Sequence, residues 1–97
     1  MAVEYLYKTI KATAGEDMTI CAEITNDQGE SITEGCCLTI SDIGGATVAE
    51  CVGECTGKTW GFAISGKITE GLSGKHWYVV TKDNKAIDFP APIYFVG

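Results

Sequence analysis

The clearest alternation in the chain runs through Met18-Thr19-Ile20-Cys21-Ala22-Glu23-Ile24-Thr25, with Met18, Ile20, Ala22 and Ile24 on one side and Thr19, Cys21, Glu23 and Thr25 on the other. Successive strand side chains point to opposite faces, so this pattern predicts a half-buried antiparallel strand. Shorter stretches repeat it. Residues 3–12 alternate loosely and read as a first strand, with Val3, Tyr5 and Tyr7 on one side and Glu4 and Lys8 on the other. Cys36, Leu38 and Ile40 point inward in a middle strand, with Cys37 and Thr39 outward, and residues 47–52 make another. Trp60, Phe62 and Ile64 share a face with Gly61 opposite, which suggests a bulge or the close approach of a neighbour there.

The stretch Gly71-Leu72-Ser73-Gly74-Lys75-His76-Trp77-Tyr78-Val79-Val80-Thr81-Lys82-Asp83-Asn84 joins a Gly-bracketed turn to a dense aromatic and β-branched run and a charged turn. With the apolar run over residues 86–96 it predicts a closing hairpin. Trp77, Val79 and Thr81 share one face of it and Tyr78 and Val80 the other, and Trp60 and Trp77 are the expected core anchors. Pro90 and Pro92 have no N–H to give a ladder, so part of the last strand is expected at an edge or bulged.

Turns fall at Ala14-Gly15-Glu16-Asp17, at Asn26-Asp27-Gln28-Gly29-Glu30 with Gly29 left-handed, at Gly44-Gly45 and over residues 53–57. One helical turn is expected over residues 67–72, capped by Ser65, with Ile68 and Leu72 on one side and the chain crossing between sheets. About seven strands with turn signals every 8–12 residues indicate an all-β fold, an immunoglobulin-like antiparallel β-sandwich in a single domain over residues 1–97.

Charge narrows the partners. Asp and Glu number 13 against 7 basic residues, all lysine, for a net charge of −6. Without arginine forks, and with an acidic balance, neither nucleic acid nor an anionic membrane surface is an expected partner. No apolar run reaches the length of a bilayer-spanning helix, and Met1-Ala2-Val3-Glu4-Tyr5 lacks the basic and apolar regions of a secretory leader. A cytoplasmic chain is expected, or one that leaves by another route.

Five cysteines, Cys21, Cys36, Cys37, Cys51 and Cys55, are the most unusual feature. Packing as small apolar side chains in a reducing compartment is the preferred reading. A thiolate metal site on Cys51, Cys55 and Cys36 lacks the paired knuckles of strong zinc patterns. If a bridge forms, Cys51 to Cys55 across a turn is favoured. No metal or cofactor is expected. His76 is the lone histidine and is placed at a rim, so a Cys–His dyad would need the fold to bring the two together. The acidic loop Asp27-Gln28-Gly29-Glu30 lacks calcium-ligand spacing, and neither Gly44-Gly45 nor Gly71-x-x-Gly74 opens a phosphate-binding helix. No catalytic residue is assigned. A sugar-stacking use of the aromatics is open, though their alternation sends most of them to the core.

Three stretches resemble a small immunoglobulin-like module of tailed-phage and prophage structural proteins found in tail, baseplate and fibre components. They are Gly15-Glu16-Asp17-Met18-Thr19-Ile20, Asn26-Asp27-Gln28-Gly29-Glu30-Ser31-Ile32, and the run from Thr69 through Gly71, Gly74, Trp77 and Tyr78 to Asp83. The likeness covers roughly residues 13–96, apart from the cysteines and the Pro90-Ala91-Pro92 break, which that pattern lacks. It implies a non-enzymatic virion structural protein, assembled in the bacterial host cytoplasm, acting as a homo-oligomer or by docking to another phage protein. Residues 3–10, with Tyr5 and Tyr7, are the candidate segment for packing on a partner, although the strand signals alone favour an ordinary first strand of the same chain. The alternative is a small β-sandwich module recognising protein or carbohydrate through end loops at Gly44-Gly45 and residues 53–57.

Overall fold

The computed structural model describes residues 2–5 and 9–97. Among them are nine strands, β1 (Ala2–Tyr5), β2 (Ile10–Thr13), β3 (Met18–Thr25), β4 (Cys36–Ser41), β5 (Thr47–Thr56), β6 (Thr59–Ile64), β7 (Gly74–Lys82), β8 (Lys85–Ala86) and β9 (Ala91–Val96), with one helical turn, α1 (Gly66–Thr69). Two sheets form, β1-β3-β6-β5 and β5-β4-β7-β9-β2, with β8 beside β7. All pairings are antiparallel except β2 with β9, which is parallel. The all-β sandwich reading therefore holds, with more strands than the expected seven.

The two added strands come from expected strands that divide, residues 3–12 into β1 and β2 and residues 86–96 into β8 and β9. Residues 3–12 do not form one strand: β1 pairs with β3 in the first sheet, and β2 joins β9 in the second. Strand β5 also changes sheets, pairing with β4 through Val52 and with β6 from Gly53 onward. Residues 53–56 are therefore strand, not the expected turn. Gly53 makes that crossing possible: a Cβ there would collide with the Phe62 ring and stand 2.7 Å from that of Trp60. Gly61 is regular strand, paired with Cys21 and Glu54, and no bulge occurs there.

The inward faces form one core of Ile20, Ala22 and Ile24 from β3, Cys36, Leu38 and Ile40 from β4, Trp60, Phe62 and Ile64 from β6, Tyr78 and Val80 from β7, and Ile93 and Phe95 from β9. Trp60 stacks on Phe62 with ring centroids 5.8 Å apart and planes 10° from parallel, and its Nε1–H donates to the Ile32 carbonyl at 2.6 Å. It is the anchor expected of it. Trp77 is not. Leu38 pairs with Val80 and Ile40 with Tyr78, which turns residues 76, 78 and 80 inward and leaves Trp77 on the outer surface. His76 follows the same parity. It is 7% exposed, not at a rim, with Nδ1 3.2 Å from the Gly74 carbonyl and its ring edge-on to Phe95.

Helix α1 carries the chain from the first sheet to the second, as expected, and the Ser65 hydroxyl accepts from the Lys67 N–H. Its buried side is Gly66 and Thr69, not Ile68, which faces solvent. Thr69 Oγ1 accepts from the Gly15 N–H at 3.0 Å and Asp17 Oδ1 from the Gly66 N–H at 2.7 Å, so the first turn is clamped onto α1. Gly66 lies so close to the Gly15 backbone that a Cβ would collide with it. Pro92 pairs with Trp77, and β2 begins beside Ile93, so the other side of Pro92 is an edge, as the missing N–H requires.

Candidate interaction surface

Outward positions of the second sheet form a face whose composition differs from a usual solvent face. Across the strands run Val52, Cys37 and Thr81, then Glu50, Thr39 and Val79, then Ser41, Trp77 and Pro92. Tyr94 follows, between Lys75 and Lys11. Two loops extend the apolar strip. In the β4–β5 turn Asp42 Oδ1 accepts from the N–H groups of Gly44 and Ala46, both at 2.9 Å, which fixes the turn and presents Ile43 at 75% exposure. In the β8–β9 loop the Phe89 N–H is held by Asp88 Oδ1 at 2.8 Å and the ring is 87% exposed. These loops and the strands between them frame an open groove of about 520 Å³, with Ile43, Trp77, Val79, Phe89 and Pro90 among its walls. Val52 adds a further side chain at 80% exposure on the edge formed by β5. Lys75 Nζ lies 4.4 Å from the centre of the Trp77 ring, a cation over the one indole left outside the core.

The candidate packing segment sits elsewhere. Tyr5 is spent within the chain: its ring meets Tyr78 edge-on at 4.9 Å, and its hydroxyl accepts from the Val80 N–H at 3.2 Å. Val80 lies between the last β9 pair, at Tyr78, and the first β8 pair, at Thr81, so that slot has no strand to receive its N–H. The tyrosine fills it. Tyr7 lies outside the described residues. Burial pushes the Tyr5 hydroxyl up to about 12, above the usual 10, with the Val80 hydrogen bond partly opposing the rise. A raised folded value means that its contribution is complete below pH 10 and lost as pH climbs through 12. Urea titrations across that range are expected to show falling stability, shallower in Tyr5→Phe. At pH 7 that variant leaves the Val80 N–H without its acceptor, an expected loss of about 1–3 kcal/mol.

The cysteines are spread over the sandwich. Cys36 and Cys51 are core, Cys37 is on the outer face just described, Cys21 is on the opposite outer face, and Cys55 is half-buried with its thiol 3.5 Å from the Gly57 carbonyl. All five are free thiols. Cys51 and Cys55 sit on one extended strand, roughly 13 Å apart at about 3.3 Å per residue, which rules out the favoured bridge. One ion could not be held by both. Among the described residues no three His, Cys, Asp or Glu side chains gather as a metal site. Burial raises the thiol pKa of Cys36 and of Cys51, which keeps both protonated. Cys36 pairs with Lys82, six residues along β7 from His76, or roughly 20 Å. No helix among the described residues is long and apolar enough to cross a membrane.

Solved structures share this architecture. The crystal structure of the Lin-41 filamin domain matches with a TM-score of 0.70 at 11% identity, over 97% of this chain and 91% of that one. The S-layer protein SbsC domains 4 and 5 match with a TM-score of 0.57 at 9% identity, over 100% of this chain and 52% of that one. No family model matches the sequence, and no curated protein does. The fold is thus of the immunoglobulin-like, filamin-domain type. The outer groove was not singled out in the sequence, although Phe89 beside Pro90, in a segment barred from regular pairing, was a usable signal for an aromatic held outside the sheet.

Proposed function

We propose that the protein is a non-enzymatic structural subunit of a tailed-phage particle, held in place by self-association or by docking to another virion protein. The observation that carries this reading is the apolar outer face of the second sheet, where Trp77, Val79, Phe89 and Ile43 surround an open groove. Contiguous exposed apolar patches of this kind mark interaction surfaces more often than ordinary solvent faces. The virion setting rests on the motif likeness over residues 13–96. A non-catalytic role is supported by the separation of His76 from Cys36, the core thiol of β4, and by the raised pKa of that thiol. Native mass spectrometry of the purified chain is the test. A defined oligomer at bare polypeptide mass is expected, and a monomer at every concentration would remove self-association.

A second reading is favoured by the way the groove is built: its far walls are loop tips, Ile43-Gly44-Gly45 and Phe89-Pro90, at positions where sandwich domains often recognise ligands. That reading makes the chain a binding module for a protein or carbohydrate. It requires a monomer whose melting temperature rises with the ligand.

A further inference from the structure

The two outer faces of the sandwich differ in a complementary way. Among the described residues, six of the seven exposed large apolar side chains, all but Ile68, belong to the second sheet or the loops continuous with it: Ile43, Val48, Val52, Phe89, Tyr94 and Val96. Its β7-β9-β2 side carries Lys75 and Lys11, flanking Tyr94, with no outward carboxylate on those strands. The first sheet presents the reverse. Its outward strand positions bear small side chains, Thr19, Cys21, Gly61 and Ala63, around a shallow depression of about 340 Å³. Its charges there are Glu4, Glu23 and Glu54, with no lysine on its strands. Glu4 stands directly across from Glu23 in the β1–β3 register. Like charges directly opposite on a sheet are destabilising, and a cationic partner would relieve the repulsion.

We propose that copies of this chain stack face to back, the apolar, lysine-bearing face of one lying on the small-residue, glutamate-bearing face of the next. Gly61 and Ala63 leave room for Phe89 and its neighbours, and Lys11 and Lys75 meet Glu4, Glu23 and Glu54. Two acidic faces repel each other, because whatever the register their strands bring only glutamate charge against glutamate charge. A face-to-back contact is heterologous and leaves a free face at each end, so it builds rings or filaments and not a closed dimer. This inference rests on the self-association branch of the proposed function and specifies its geometry.

Two variants test it. Glu23→Lys with Ala63→Arg blocks the acidic face, and Lys75→Gln with Phe89→Gln and Tyr94→Gln strips the apolar one; all of these side chains are exposed, and circular dichroism and thermal melting confirm folding. By sedimentation, the unaltered chain is expected to gain mass beyond the dimer as concentration rises, and to lose it in high salt. Each variant alone is expected to stay at monomer mass, and an equimolar mixture to form a 1:1 dimer and stop there. Association of the acidic-face variant by itself would overturn the face-to-back arrangement while leaving self-association standing. An unaltered chain that is monomeric throughout would overturn both.

Discussion

Trp60→Ala is expected to remove about 3–5 kcal/mol of folding stability and to lower Tm by roughly 12 °C or more. The residue is 2% exposed, lies against Phe62, and supplies the N–H that satisfies the Ile32 carbonyl. Alanine would open a cavity in the core between the two sheets, beside Phe62, and leave that carbonyl without its donor. Trp60→Phe should restore much of the packing but not the hydrogen bond, placing it between the two. A urea titration of the three proteins reads the difference. A loss below about 1 kcal/mol for alanine would mean that the surrounding side chains collapse into the space, and that Trp60 is not an anchor.

Gly53→Ala is expected to destabilise through the opposite fault. Its new methyl would meet the Trp60 and Phe62 rings closer than 3.0 Å. Overfilling a packed core costs about 1–3 kcal/mol, and here the strained side chains are rings with core neighbours on every side. Because Trp60 accounts for part of the collision and Phe62 for the rest, the two substitutions should couple in part. In a Trp60→Ala background, where the Phe62 ring is free to move into the vacated space, Gly53→Ala should cost less than in the unaltered chain, a non-additivity of about 0.5–3 kcal/mol that a double-mutant cycle measures. Strict additivity would show that β5 passes the ring without touching it. Gly61→Ala serves as the control, since a Cβ there meets only ordinary contacts at 3.6 Å and beyond.

Much of the architecture was legible because most strands alternate apolar and polar residues. In β3, β4 and β6 the polar members, Glu23, Thr39 and Thr59 among them, leave one possible inward face. In the run through His76, Trp77, Tyr78, Val79 and Val80 both faces are apolar or aromatic, and the alternation carries no sign. A shift of one residue moves every side chain to the other face. That single ambiguity put Trp77 in the expected core and His76 at its rim. The partner strand decides the question, since Ile40 opposite Tyr78 and Ser41 opposite Trp77 leave one arrangement.

The sheet changes within residues 3–12 and within β5 were hidden for another reason. Strand β5 passes from one sheet to the other with its backbone extended throughout, so nothing local marks its change. No polar residue type interrupts the alternation over residues 3–12 clearly enough to mark the other. Gly53 was visible but read as a turn, because a glycine needed for close approach looks the same in a sequence as one needed for a reversal. Of the candidate surface, the loop at Gly44-Gly45 was anticipated. The aromatic wall was not, because Trp77 had been assigned inward and Phe89 counted within the last strand. Of the two readings open for the first strand, Tyr5 follows the one of an ordinary strand of the same chain: it packs on the second sheet.

The parallel pairing of β2 with β9 bears on how the domain responds to tension. These strands lie near opposite ends of the sequence yet run side by side in the same direction, from Ile10 beside Ile93 to Thr13 beside Val96. A pull on the two ends drags β2 backward and β9 forward along their common axis. The hydrogen bonds between them are then loaded together in shear, where a strand peeled from its end would release them one after another. Strand β1, sliding along β3, is loaded in the same sense. Under tension between the two ends this terminal pairing would act as the mechanical clasp, and resistance to stretching would depend on four residue pairs at the edge more than on the aromatic centre.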